Sequence, residues 1–149
     1  MLHHFLLIIH LLSACIWIGG HLILSIGILP EVYKKKDIQI LLSFERKYEK
    51  IGIPALLLLI ISGIWMASNY GITFQNWCQF STSIQTVIFI KLMLLIATII
   101  LALSANLFVI PKLTLKSLPL MTFHIIGVTI LSICFLLTGT LIRFGSLYF

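Results

Sequence analysis

The stretch that decides the fold is His3–Leu29, HHFLLIIHLLSACIWIGGHLILSIGIL. Leu, Ile and Phe fill most of it, long enough to cross the ~30 Å hydrocarbon core of a bilayer as a helix. Yet it carries four of the five histidines, His3, His4, His10 and His21. At about 100° per residue, His3, His10 and His21 fall within roughly 20° of one line, and His4 lies about 100° away. A row of imidazoles along one face of an apolar helix needs a chemical reason.

The rest of the chain has the same character. Of 149 residues, 60% are hydrophobic and 9% charged, against roughly a quarter charged in a soluble domain. A soluble fold of this size cannot hide so much apolar surface, so the chain reads as all-α, an integral membrane four-helix bundle forming a single domain over residues 1–149. The spans fall at about residues 2–29, 51–68, 84–110 and 118–142. Pro30 and Pro111 stand just past the first and third, where those helices are expected to stop. Residues 37–50 read as an interfacial amphipathic segment leading into the second span, with Ile38, Leu41, Leu42 and Tyr48 on its apolar side. The N-terminus has no Lys or Arg before its apolar core and reads as a retained helix, not a cleaved signal.

Charge fixes an expected orientation. Eight of the ten basic residues, Lys34, Lys35, Lys36, Arg46, Lys47, Lys50, Lys112 and Lys116, fall between spans one and two or three and four. The connection between spans two and three has no charge, and its Tyr70, Phe74, Trp77 and Phe80 suit an interfacial aromatic belt. Both termini are therefore expected on the periplasmic side of a bacterial inner membrane. The +6 net charge is a topology signal, so nucleic acid is not an expected partner. The charges of the first connection, Glu45 and Glu49 among them, read as a solvated face.

Few polar groups remain at membrane depth. His10 and Lys91 form an outer layer; His21 and His124 form an inner one, with Asn106 a little deeper. Two neutral imidazoles facing each other across a bundle can ligate one iron from both sides. The bland alternative is a pair of interhelical hydrogen bonds. Val128, Leu131, Phe135 and Thr138, on the His124 face, make a mostly apolar wall. Lys91 can snorkel outward, pair with a propionate, or stand beside a metal at His10. Arg143 marks the outer end of the last helix. His3 and His4 are interfacial histidines or a shallow metal-entry site. Met1, Met66, Met93 and Met121 are scattered, so soft Cu(I) ligation is not written clearly. Hydrolase chemistry is not expected, because the spans carry no acid to orient a histidine and no nucleophile–base constellation can be read. Cys15, Cys78 and Cys134 follow no metal or redox spacing, and Cys15 and Cys134 read as small buried hydrophobes. Ser13, Gly20 and Gly27 form a thin stripe that a neighbouring helix, or a flat macrocycle at Gly20, can approach. Ala97 and Ser104 form a similar thin side on the third helix.

In order and spacing, several blocks resemble the copper-resistance protein D family. They are His10–Leu11–Leu12, Trp17–Ile18–Gly19–Gly20–His21, Ile28–Leu29–Pro30, Phe44–Glu45, Ser62–Gly63–Ile64–Trp65, Ile110–Pro111–Lys112–Leu113, Phe123–His124 and Arg143–Phe144–Gly145. That resemblance implies copper uptake or export. The layout also resembles the HemJ type of protoporphyrinogen oxidase, whose helix-one histidine and helix-three lysine match His10 and Lys91. That likeness implies bound haem b. Some relatives carry a histidine late in helix three, where this chain has Ser104 or Asn106, so a ligand set relying on it is incomplete here.

The sequence therefore sets these expectations. A redox metal group, b-type haem first and copper second, is held by His21 and His124. His10 and Lys91 make an outer site, and His3 and His4 join a metal path. The activity, if enzymatic, is that of an oxidoreductase linked to a quinone or porphyrinogen partner. The alternatives are a copper transporter and a non-catalytic assembly subunit, either of them able to form homo-oligomers.

Overall fold

The computed structural model describes residues 2–73, 75–78 and 80–144, with side chains from 3 to 140. Phe74, and the side chain of Arg143 with the Phe144–Gly145 block, lie outside the described side chains. Among the described residues the chain is helical throughout, and four helical rods are long and apolar enough to cross a membrane: His3–Lys35, Ile38–Asn69, Ser83–Lys112 and Leu118–Thr140. The elements are α1 (Leu2–Leu22), a π-helical segment (Ile23–Ile28), α2 (Leu29–Lys35), α3 (Ile38–Asn69), α4 (Ser83–Ser104), a second π-helical segment (Ala105–Val109), a short 3-10 turn (Ile110–Lys112) and α5 (Leu118–Phe144).

The first correction concerns Pro30, which does not stop the first rod. A proline inside a helix normally loses a hydrogen bond and crowds the carbonyl one turn back. Here the wide π turns at Ile23–Ile28 come just before it, the Leu29 N–H bonds to the Leu24 carbonyl, and Pro30 stands in the first turn of α2. The rod ends only at Lys36, whose φ of 52° is left-handed. Asp37 then caps α3, its carboxylate accepting from the Gln39 N–H at 2.9 Å.

Residues 37–50 run into the second span without a break: Asp37 is the cap, and Ile38 onward are the first turns of α3. The expected loop shrinks to Lys36–Asp37, and Pro54 lies inside α3. The other ends are sharper. Thr82 and Gln85 form a reciprocal cap at the start of α4. Pro111 ends the third rod in the 3-10 turn, and Thr114 and Ser117 bond each other's backbone before α5.

The rods pack laterally in the order α3, α1, α5, α4. The sequence neighbours α3 and α4 make few close backbone contacts, and residues of both line one pocket. A buried cluster of Leu24, Leu29, Val32, Leu41, Val109, Leu118, Met121 and Ile125 holds the end of the bundle that carries the Lys-rich connections. Outward faces stay apolar and exposed, as at Ile26, Ile64, Phe108 and Phe123, the pattern of rods solvated by lipid.

The contact between α1 and α3 is keyed by one ring. Tyr48 lies between Gly20 and Gly52: a Cβ at Gly20 would collide with the Tyr48 ring, and one at Gly52 would stand 2.8 Å from it. The thin stripe expected on α1 is thus divided. Gly20 receives a tyrosine and not a macrocycle, Ser13 is buried, and Gly27 faces open space. Cys15 is exposed and Cys134 half-buried, so neither is the buried hydrophobe expected. Gly20→Val should destabilise the protein by about 1–3 kcal/mol, as overpacking does. Adding Tyr48→Ala to that variant should recover part of the loss, which a thermal-unfolding double-mutant cycle in detergent measures.

Candidate functional site

A cavity of about 260 Å³ lies between α1, α3, α4 and α5, and both His21 and His124 line it. Its walls are largely apolar, with Leu24, Leu56, Ile99, Met121, Ile125 and Val128. The wall differs from the expected one: of Val128, Leu131, Phe135 and Thr138, only Val128 lines the cavity. The Thr138 hydroxyl turns back to the Cys134 and Phe135 carbonyls.

Both histidines are buried, and both have the same backbone anchor. His21 Nδ1 is 2.8 Å from the Trp17 carbonyl, and His124 Nδ1 is 2.8 Å from the Leu120 carbonyl. A carbonyl only accepts, so each Nδ1 carries the proton and each Nε2 keeps its lone pair. Metal-ligating histidines show this arrangement, in which the outer hydrogen bond fixes tautomer and ring orientation. The two sites differ at Nε2: the Ser104 hydroxyl donates to His124 Nε2 at 3.1 Å.

The surroundings hold His21 in place. The Trp17 carbonyl takes a second donor, the Tyr48 hydroxyl, at 3.0 Å. The Trp17 and His21 rings stand 4.4 Å apart, and the Tyr48 ring meets His21 edge-on at 5.5 Å. The Thr129 hydroxyl lies 3.2 Å from the His21 carbonyl, just where the first π segment begins. The second π segment begins directly after Ser104. Such wide turns recur at functional sites, and here they open beside both walls of the cavity.

Glu45 and Glu49 also line the cavity, against the expectation of a solvated face. Glu49 accepts from the Asn106 amide at 2.8 Å, joining α3 to the second π segment. The signal for this was present: Leu41, Glu45, Tyr48, Glu49, Gly52 and Leu56 share one helical face that runs straight into the second span.

The remaining candidates are placed elsewhere. His10 Nδ1 meets Ser62 Oγ on α3 at 2.9 Å. The Ser62 proton is already given to the Leu58 carbonyl, so His10 is the donor. Lys91 is near enough to interact electrostatically with His10 but makes no hydrogen bond to it. His3 and His4 are exposed, their rings 6.1 Å apart, and His3 also meets Tyr70. Among the described residues, no three His, Cys, Asp or Glu side chains stand close enough to share a metal ion. The path from His3 and His4 through His10 to His21 is therefore not assembled as a ligand cluster.

No family model, curated protein or solved structure matches the chain.

The imidazole state is directly measurable. Nitrogen NMR of 15N-histidine-labelled protein should show His21 and His124 as Nδ1–H tautomers. In Ser104→Ala, only the His124 Nε2 signal should move strongly.

Proposed function

We propose that the chain is a copper-resistance-D-like bacterial inner-membrane protein that binds b-type haem at His21 and His124 and works in electron transfer within the bilayer. The observation that carries this reading is the pair of buried imidazoles lining one cavity, each with Nδ1–H tied to a carbonyl and Nε2 keeping its lone pair.

The donor count favours haem over a bare ion. Zinc takes three or four protein ligands, and no third ligand joins the pair among the described residues. A porphyrin would bring four nitrogens of its own and would ask the protein for no more than the two imidazoles. The donor set fits. The space is tighter: about 260 Å³ is below the ~300–1,000 Å³ of most small-molecule sites.

Haem held there supplies a one-electron carrier. The chain's own part is positional and electrostatic. Trp17 and Leu120 orient the imidazoles through their carbonyls, and the wall around them is largely apolar. The Ser104 hydroxyl must release His124 Nε2 before that lone pair can reach a metal. A quinone or porphyrinogen is the partner class this reading implies. The distribution of basic residues supports an orientation with both termini in the periplasm.

Protein purified in mild detergent, or supplied with ferric haem, should show a Soret band and sharp reduced α and β bands. His21→Ala and His124→Ala should each abolish them, and Ser104→Ala should strengthen binding by severalfold. A colourless chain that takes up no haem but retains copper would overturn the reading in favour of a copper-handling protein. Alkaline phosphatase fused to either terminus should be active, and fused after Lys36 inactive.

A further inference from the structure

In the other half of the bundle, Lys91 has no acidic partner among the described residues. Lys91 lies about 12 Å along α4 from its start at Ser83. Its ammonium reaches across to the neighbouring helix α5. It ends against α5 at Gly139, where an added Cβ would stand 3.4 Å from Nζ. His10 of α1 lies beside it, and His10 in turn touches both Ser62 and Gly63 of α3. All four membrane-crossing rods therefore contribute a residue to this one region.

Nothing here answers the charge. Among the described residues Lys91 makes no hydrogen bond and no ion pair; the salt bridge present, Lys35–Glu31, lies within α2. All four acids, Glu31, Asp37, Glu45 and Glu49, fall within residues 31–49. The nearest along α3, Glu49, is 13 residues from Ser62, or about 20 Å. The neighbouring His10 ring gives its Nδ1 proton to Ser62 and brings no negative charge. A half-buried ammonium at membrane depth is costly unless it is paired. Glycine at position 139 keeps the space beside Nζ free of a side chain.

We propose that Lys91 seats one anionic head group, the carboxylate or phosphate of a membrane amphiphile, in the space beside Gly139. The site is separate from the His21–His124 cavity: Lys91 does not line that cavity, and the proposal does not depend on haem.

Native mass spectrometry of the haem-free full chain, in neutral detergent, tests this with matched probes. Oleate and lysophosphatidate carry the two anionic heads, and oleyl alcohol is the uncharged control of the same tail. One oleate or one lysophosphatidate should be retained per chain, at least about tenfold more tightly than the alcohol, as a charge-assisted hydrogen bond predicts. Which acid is retained distinguishes a carboxylate from a phosphate source. Lys91→Met should abolish that excess and Lys91→Arg preserve it. Gly139→Leu, which fills the space beside Nζ, should also abolish it and serves if the lysine variant does not fold. Equal retention of acid and alcohol by the unaltered chain, or an excess that survives both Lys91→Met and Gly139→Leu, would overturn the proposal.

Discussion

The Tyr48 ring, lodged between Gly20 and Gly52, is the contact on which the rest depends. It joins α1 to α3 where neither helix could approach with a side chain at those glycines. Its hydroxyl ends on the Trp17 carbonyl, the same oxygen that receives His21 Nδ1–H. Helix docking and imidazole orientation are therefore one interaction. The same ring stacks on Phe44, at 5.7 Å, which carries the lock toward the basic end of α3.

A bilayer makes such arrangements costly to leave incomplete, because no water is present to satisfy a stray polar group. The buried hydroxyls obey this rule. Thr98, Ser132 and Ser62 each donate to a carbonyl one turn back on their own helix. No fully buried polar side-chain atom lacks a partner among the described residues. The histidines use the same device at Nδ1, leaving Nε2 as their chemically available edge. Lys91, partly exposed, has no hydrogen-bond or ion-pair partner among the described residues.

The sequence made the four apolar rods legible, because length and hydropathy suffice for that. It also paired His21 with His124 by depth along their helices, and both do line one cavity. It placed the boundary between the first and second rods wrongly for a physical reason. Pro30 is a stop signal only where the helix before it is tight, and the π turns before it are wide. That error concealed the site's remaining polar residues. Once α3 begins at Ile38, Glu45, Tyr48 and Glu49 move from a solvated loop onto the face that lines the cavity. Ser104 was visible only as a missing histidine; its hydroxyl on His124 Nε2 is a contact that no spacing rule encodes.

The central claim is that His21 and His124 present their Nε2 atoms to one shared group. Electron–nuclear double resonance on 15N-histidine-labelled protein loaded with ferric haem tests it most directly. The account predicts hyperfine coupling from two histidine nitrogens, reduced to one in His21→Ala and in His124→Ala. Coupling from two nitrogens that persists in either variant, or its absence from the unaltered protein, would contradict it.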